Sequence, residues 1–343
     1  MNKKNIKSIV QFVVLLGIGI LLIWLSLKQV APEKDKIIDA FRNANYLWIA
    51  VSMVISFFSH FLRALRWNYL LEPLGYKTNL LNATCHVLIG YFANYGIPRM
   101  GEVTRCSLAA KYDKVPFEVG FGTVITERII DFILFLVIFM LTLLLQFKEL
   151  IGLANTYIFD KLSQKFTGLS HNPMRMLMLV LVVVVVIALF LMLRKKFSHL
   201  LKGKLGTMLK GMAEGIGSVR KMKRPLPFII LSLLIWACYF YSLYVCFFAL
   251  SGTSHLGQKE CLTLLMFGTF GVIFSPGGLG AYPAIVGGIL LITFHVDTAS
   301  AFALPWLSWT AQFVLIVVLG LLSFIVLPLY NRKKDVITPT VNS

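Results

Sequence analysis

G-Y-F-A-N-Y-G-I-P-R-M-G-E, running from Gly90 to Glu102, returns in altered form as G-T-F-G-V-I-F-S-P-G-G-L-G-A, from Gly268 to Ala281. Each stretch begins with Gly, has Phe two positions on (Phe92, Phe270) and reaches Pro eight positions on (Pro98, Pro276). Each then meets a further Gly, Gly101 in the first and Gly280 in the second, the second copy carrying one extra residue. Both lie inside strongly apolar sequence, where an unpaired backbone amide or carbonyl is costly. Pro and clustered Gly break a helix. Broken helices at matching places in two halves of a membrane chain point to a binding or translocation site.

Composition places the chain in a bilayer. Of its 343 residues, 58% are hydrophobic, and the mean hydropathy is +0.80. About 20 apolar residues suffice to cross the hydrocarbon core as a helix. Spans are predicted near Ile9–Leu27, Tyr46–Leu65, Ile129–Phe147, Met174–Leu193, Leu226–Leu250 and Leu307–Leu329. The first follows Lys3, Lys4 and Lys7 but is too long for a signal peptide and lacks a small-residue cleavage site, so it reads as a retained span. The two broken regions, Leu80–Glu118 and Cys261–Phe294, lie between spans. The chain is thus expected to be one all-α, polytopic helical bundle over residues 1–343. It would have about six full spans and two broken or re-entrant hairpins. Residues 28–147 form one repeat half and 226–330 the other, with 194–225 a basic cytoplasmic loop.

The formal charge of +18 fits Lys and Arg flanking membrane spans on the cytoplasmic side, and no nucleic-acid motif accompanies it. If the N-terminus, Arg63–Lys114, Arg194–Arg224 and the tail share one side, that side holds 23 of the 33 Lys and Arg residues. Both termini are then cytoplasmic. This bookkeeping works only if each broken region enters and leaves on one side, whether as a re-entrant loop or as a hairpin crossing twice. The first would then open to the cytoplasm and the second to the opposite side, an inverted pair.

Chemistry concentrates in the first half. In Pro98-Arg99-Met100-Gly101-Glu102-Val103-Thr104-Arg105, freed backbone amides stand beside two guanidinium groups, whose planar forks match phosphate oxygens. Headgroup contact and simple cytoplasmic anchoring are both open for Arg99 and Arg105. Glu102 and Arg105 are one helical turn apart and able to pair. Thr126-Glu127-Arg128-Ile129-Ile130-Asp131 opens an apolar run with three ionisable groups. Ionisable groups at such depth are expensive unless paired or wetted, so they form either a polar path or a structural ion-pair knot with Arg99 or Arg105. The second break, Ser275-Pro276-Gly277-Gly278-Leu279-Gly280, has no charge. It acts either through main-chain amides or as a hinge.

Other features are weaker. His60, Arg63 and Arg66 flank the second span and read as interfacial snorkelling groups. His86 and His295 read as satisfied core histidines. Tyr46, Trp48, Trp67 and Tyr69 read as an interfacial belt. The five Cys (Cys85, Cys106, Cys238, Cys246, Cys261) are scattered without a C-x-x-C pair, so no metal or redox site is expected. Ser275 and His295 lack the elbow motif of a serine hydrolase, and no P-loop, zinc-protease or dinucleotide fingerprint is present.

N-Y-G-I-P-R-M-G-E-V-T-R, then E-R-I-I-D, then S-P-G-G-L-G-A, together resemble the flippase-like integral membrane family. That family includes the transmembrane region of lysylphosphatidylglycerol synthase and is also called the UPF0104 group. The likeness runs from about Ile9 to Tyr330. It implies a bacterial inner-membrane protein that moves a lipid or lipid-linked headgroup between leaflets. The positions carried over are Asn94, Pro98, Arg99, Gly101, Glu102, Arg105, Pro276, Gly277, Gly278 and Gly280 for headgroup binding, and Glu127, Arg128 and Asp131 for an intramembrane polar path. Many relatives have an acidic residue soon after the second glycine motif, where this chain has Ala281-Tyr282-Pro283. The aminoacyl-transfer domain of the synthase has no counterpart here.

The expectation is therefore a flippase or scramblase that works without ATP, with no cofactor, no metal and no catalytic residue. Its partner is a membrane phospholipid or polyprenyl-linked lipid, not nucleic acid. Two alternatives stand beside it. One is a non-transporting scaffold for a cell-envelope or lipid-modifying enzyme. The other is an intramembrane transferase acting on polyprenyl-linked substrates, with Glu102 or Asp131 as its carboxylate.

Overall fold

The computed structural model describes residues 31–97, 100–146, 222 and 224–337, with positions 17 and 21. The spans expected at Ile9–Leu27 and Met174–Leu193, nearly all of the basic loop, and Pro98 and Arg99 lie outside the described residues.

Among the described residues the chain is all-helical. The helices are α1 (Lys34–Arg42), α2 (Tyr46–Leu71), α3 (Leu80–Gly96), α4 (Met100–Asp113), α5 (Phe117–Leu145), α6 (Pro225–Cys246), α7 (Gln258–Phe274), α8 (Ala281–Ile292) and α9 (Thr298–Ile337). By length and apolar composition α2, α5, α6 and α9 can each cross a membrane. Local chemistry sets the helix starts. The Asn45 and Asn79 side chains accept from the backbone amides of Leu47 and Leu81, the Asn N-cap arrangement. Pro225 opens α6, where its missing N–H costs nothing.

Helix directions follow from named contacts. The Asn45 amide donates to the Ala249 carbonyl, at the start of α2 and just past the end of α6. Further along, Arg66 bonds Ser232, and Leu70 packs on Phe228. The two helices are therefore antiparallel. In the first break α3 and α4 fold back on each other. At the mouth the Asn79 amide and the Asn82 side chain both donate to Asp113 Oδ1, at 3.3 and 2.9 Å. Near the tip Gly90 and Gly101 cross so closely that a Cβ on either would strike the other's carbonyl. In the second break α7 and α8 do the same, with Gly268 and Gly271 against Tyr282. The reversal there needs left-handed backbone at Gly277, Gly278 and Gly280, with φ of 59°, 79° and 72°.

The α3/α4 mouth follows the end of α2, and the α7/α8 mouth follows Ala249, beside the start of α2. The two hairpins therefore open toward opposite ends of α2. Helix α9 runs the same way as α2 and ends beside the α3/α4 mouth, where Asn331 and Asn82 exchange hydrogen bonds of 3.0 and 3.1 Å. Helix–hairpin–helix thus occurs twice, in opposite senses.

The tips meet. A Cβ on Gly277 would fall inside the ring of Tyr95. The Trp309 indole N–H holds the Gly277 carbonyl at 2.8 Å, and Tyr95 packs edge-on against Phe313, 5.1 Å between centroids.

Three expectations need correction. Helix α5 starts at Phe117, so Glu127, Arg128 and Asp131 lie in its interior rather than at its opening; the residues from Phe117 to Glu127 contain no proline, Gly120 and Gly122 are carried within the helix, and pairing of the charges lets it run on. Helix α9 extends well beyond Leu307–Leu329 at both ends, running through Pro305 and Pro328. Trp67 is no belt residue: it is fully buried and donates to Thr123 Oγ1 at 2.9 Å.

Candidate functional site: a cationic cavity between the two breaks

Arg63 and Arg66 lie one turn apart on α2, so they share a face. Glu127 and Asp131 do the same on α5. The packing of α2 against α5 and α6 brings the two faces together. Arg63 Nη1 pairs with Glu127 Oε1 and with Asp131 Oδ2, the latter at 2.7 Å. Its Nη2 donates to the Tyr239 hydroxyl of α6 at 2.8 Å. Arg66 donates through Nη1 to Asp131 Oδ1 at 2.7 Å and to Ser232 Oγ at 3.0 Å, and its Nη2 lies 3.2 Å from Glu127 Oε1. From α4, Arg105 Nη1 reaches Glu127 Oε2 at 3.1 Å while its guanidinium stacks over Trp67 at 4.1 Å. Arg128 stands 3.7 Å from Glu127.

The cluster is deeply buried on one side and open on the other. Side chains of Arg66 and Glu127 are 0% exposed and that of Arg63 is 3%, whereas Asp131 is 13% and Arg128 43%. Four guanidinium groups face two carboxylates, and with Glu102 of the adjoining recess counted one positive charge remains in excess. Charge held in a low-dielectric interior is costly unless paired. The surplus lies toward Arg128, the most exposed and most loosely paired of the four.

Arg63, Arg128 and Asp131 line a cavity of about 1020 Å³. Tyr91, Asn94 and Tyr95 of the first break and Ser275 and Gly277 of the second line it as well, with Tyr239 from α6. The two breaks and the charge cluster therefore share one chamber. The chamber also has apolar lips. Ile97, Met100, Phe132, Val272 and Ile273 line it and are themselves exposed, Phe132 to 57%.

The sequence-predicted residues divide between this chamber and its supports. Asn94 lines it, and its Oδ1 accepts from the Gly101 amide at 2.7 Å, capping α4. Gly101 is the close crossing of the first hairpin. Glu102 does not supply the partner of Arg105, which turns to Glu127 instead. Glu102 and Arg105 line a separate small recess with Tyr91, Asn94 and Arg128. In the second break Gly277 lines the chamber, and Gly278 and Gly280 supply positive-φ backbone. Pro276 opens the single turn Pro276–Gly278. Glu127, Arg128 and Asp131 form the cluster itself, tied to Arg105 as one of the two readings had it, while Arg99 lies outside the described residues.

The readings of the His60 segment are overturned. Arg63 and Arg66 are not snorkelling groups but the centre of the ion-pair cluster, and His60 is buried and lines the chamber. Their carboxylate partners lie more than 60 residues away in sequence, so no local spacing reveals the pairing. One signal was available: Ser56, Ser59, His60, Arg63 and Trp67 recur at helical spacing on one face. His86 is buried as expected but not satisfied: neither ring nitrogen is hydrogen-bonded, and Asp113 stands 3.6 Å away; His295 is an exposed loop residue with φ of 51°. The five cysteines are free, and among the described residues no cluster suited to a metal ion occurs.

These features define a polytopic helical membrane protein with two inverted broken hairpins around a cationic chamber. The chain belongs to the lysylphosphatidylglycerol synthase TM region family, whose sequence model matches residues 9–320. A UPF0104 membrane protein of Methanocaldococcus jannaschii is similar, 31% identical over 105 residues. That match covers 30% of this chain and 31% of the relative, less than a third of either. No solved structure matches. The family makes this a membrane protein.

Proposed function

We propose that the chain carries an anionic lipid headgroup between leaflets through the chamber, with Arg63 and Arg128 holding the phosphate. The observation that carries this reading is the union of surplus positive charge and apolar lips in one cavity. A soluble anion needs the first but not the second. A lipid needs both: the headgroup inside against the arginines, and the acyl chains outside past Phe132, Val272 and Ile273. Charge-assisted bonds from a guanidinium to phosphate are strong in such surroundings. The hairpin tips at Tyr95 and Gly277 would act as the gates. No nucleotide-binding motif is present in the sequence, so movement runs down a lipid or ion gradient. The location proposed is a bacterial inner membrane, with the α3/α4 mouth and both termini on the cytoplasmic side, where positive charge collects.

The test is lipid crossing in sealed proteoliposomes, read with acyl-labelled phosphatidylglycerol and an impermeant quencher. Arg128→Gln is the informative change, because Arg128 is the loosely paired guanidinium and its loss leaves Glu127 with three arginines. Crossing should fall about tenfold or more, as expected for loss of a charge-assisted hydrogen bond. Crossing at the full rate in a folded variant refutes the role of Arg128. No crossing by the wild-type protein, with a stable enzyme partner recovered instead, favours the scaffold reading.

A further inference from the structure

Resting on that reading, we infer that the headgroup is a phosphodiester bearing an uncharged, hydroxyl-rich group, a glycerol, polyol or sugar, rather than a bare phosphate or an amine-bearing head. The chamber wall away from the arginines is lined by hydroxyl groups. Ser59, Ser242, Thr269 and Ser275 all line the chamber. Each hydroxyl donates its proton to a carbonyl of its own helix. Ser59 bonds the Ser56 carbonyl at 2.7 Å and Ser242 the Tyr239 carbonyl at 3.0 Å. Thr269 bonds the Leu265 carbonyl at 2.6 Å and Ser275 the Gly271 carbonyl at 3.2 Å. A hydroxyl has one proton and two lone pairs. With the proton committed, an oxygen that reaches the chamber offers it only acceptors; Ser59 is fully buried, so Ser242, Thr269 and Ser275 supply them. At these oxygens the wall receives O–H or N–H donors from the ligand, beside side chains such as Tyr95 and Gln312 that both donate and accept.

Charge decides between those donors. Asp131 is the one carboxylate lining the chamber among the described residues. Both its oxygens already accept from arginine, Oδ2 from Arg63 and Oδ1 from Arg66. No free carboxylate there meets an ammonium, and Arg63 and Arg128 repel one. Hydroxyl donors face no such penalty. At the charged end Tyr239 accepts from Arg63, which leaves its own O–H free to donate to a phosphate oxygen. A bare phosphate would satisfy the charged end and leave the acceptor wall without a partner, and the cavity has room for more. A phosphodiester with a neutral polyol matches both ends.

The experiment compares three acyl-labelled lipids in proteoliposomes of the full chain: phosphatidylglycerol, phosphatidic acid and lysylphosphatidylglycerol. Phosphatidylglycerol should cross about tenfold faster than either of the others, the worth of one or two hydrogen bonds. The Ser242→Ala, Thr269→Val double variant should lower its advantage over phosphatidic acid about fivefold. Equal rates for phosphatidylglycerol and phosphatidic acid overturn the hydroxyl-rich assignment, and fastest crossing of lysylphosphatidylglycerol overturns the uncharged one. Either result leaves the transport reading standing. If none of the three crosses, the transport reading fails, and lipid retention on the detergent-purified protein decides the headgroup class by itself. Selective retention of phosphatidylglycerol sustains it, and equal retention of all three overturns it.

Discussion

Glu127 holds the charge cluster together: its two oxygens are shared among Arg63, Arg66, Arg105 and Arg128. Removing one partner from a buried ion network leaves uncompensated charge, at a cost of about 3–5 kcal/mol. Glu127→Gln is therefore expected to lower the melting midpoint of the purified protein by about 5 °C or more. Arg128→Gln removes a group in the surplus and should melt near the wild type. A Glu127→Gln variant as stable as the parent would show that the carboxylate does not hold the arginines. At this scale little was legible in the sequence. Glu127, Arg128 and Asp131 announced themselves as ionisable groups in an apolar run. Arg63 and Arg66 did not, because their position near the predicted end of a span allowed an interfacial reading. Only the tertiary packing of α2 on α5 excludes that reading.

At the scale of elements the breaks were legible because their causes are local. Glycines clustered with a proline in an apolar run favour a helix break, whereas the isolated Pro305 and Pro328 are carried within α9. That their tips touch was not legible, since Tyr95 and Gly277 are joined by packing alone. This contact carries a prediction. Gly277→Ala places a methyl in the Tyr95 ring and a side chain on left-handed backbone, which costs about 1–2 kcal/mol by itself. The melting midpoint should fall. Combined with Tyr95→Ala, the damage should be less than the sum of the two single changes, because the clash is gone and only the backbone cost remains. Strict additivity would mean that the tips do not meet. The misplaced start of α5 has a related cause. Charged residues looked like the edge of a span, whereas paired charges sit within a helix at small cost.

For the whole molecule the central feature is inversion. Charge counting required each break to return to its own side, and the contacts of Asn45 with Ala249 and of Asn82 with Asn331 place the two mouths at opposite ends of the bundle. Lys77 lies before α3 and His255 before α7, both exposed. Single cysteines at these positions should react with an impermeant thiol reagent from opposite sides: His255→Cys in intact cells, Lys77→Cys only in inverted vesicles. Labelling of both from the same side would refute the inverted arrangement. An inverted pair of hairpins with touching tips gives a site reachable in turn from each side, and the surplus charge of the α2/α5 cluster gives that site its preference for an anion.

The claim that joins fold to function is that this chamber passes a lipid phosphate across the membrane by way of Arg128. It is tested most directly by the rate at which labelled phosphatidylglycerol becomes accessible to quencher in sealed proteoliposomes, wild type against Arg128→Gln at equal protein content. Complete accessibility is expected with the wild type, and crossing slowed about tenfold or more in the folded variant. Equal rates in the two, or no crossing beyond protein-free liposomes in either, would contradict it.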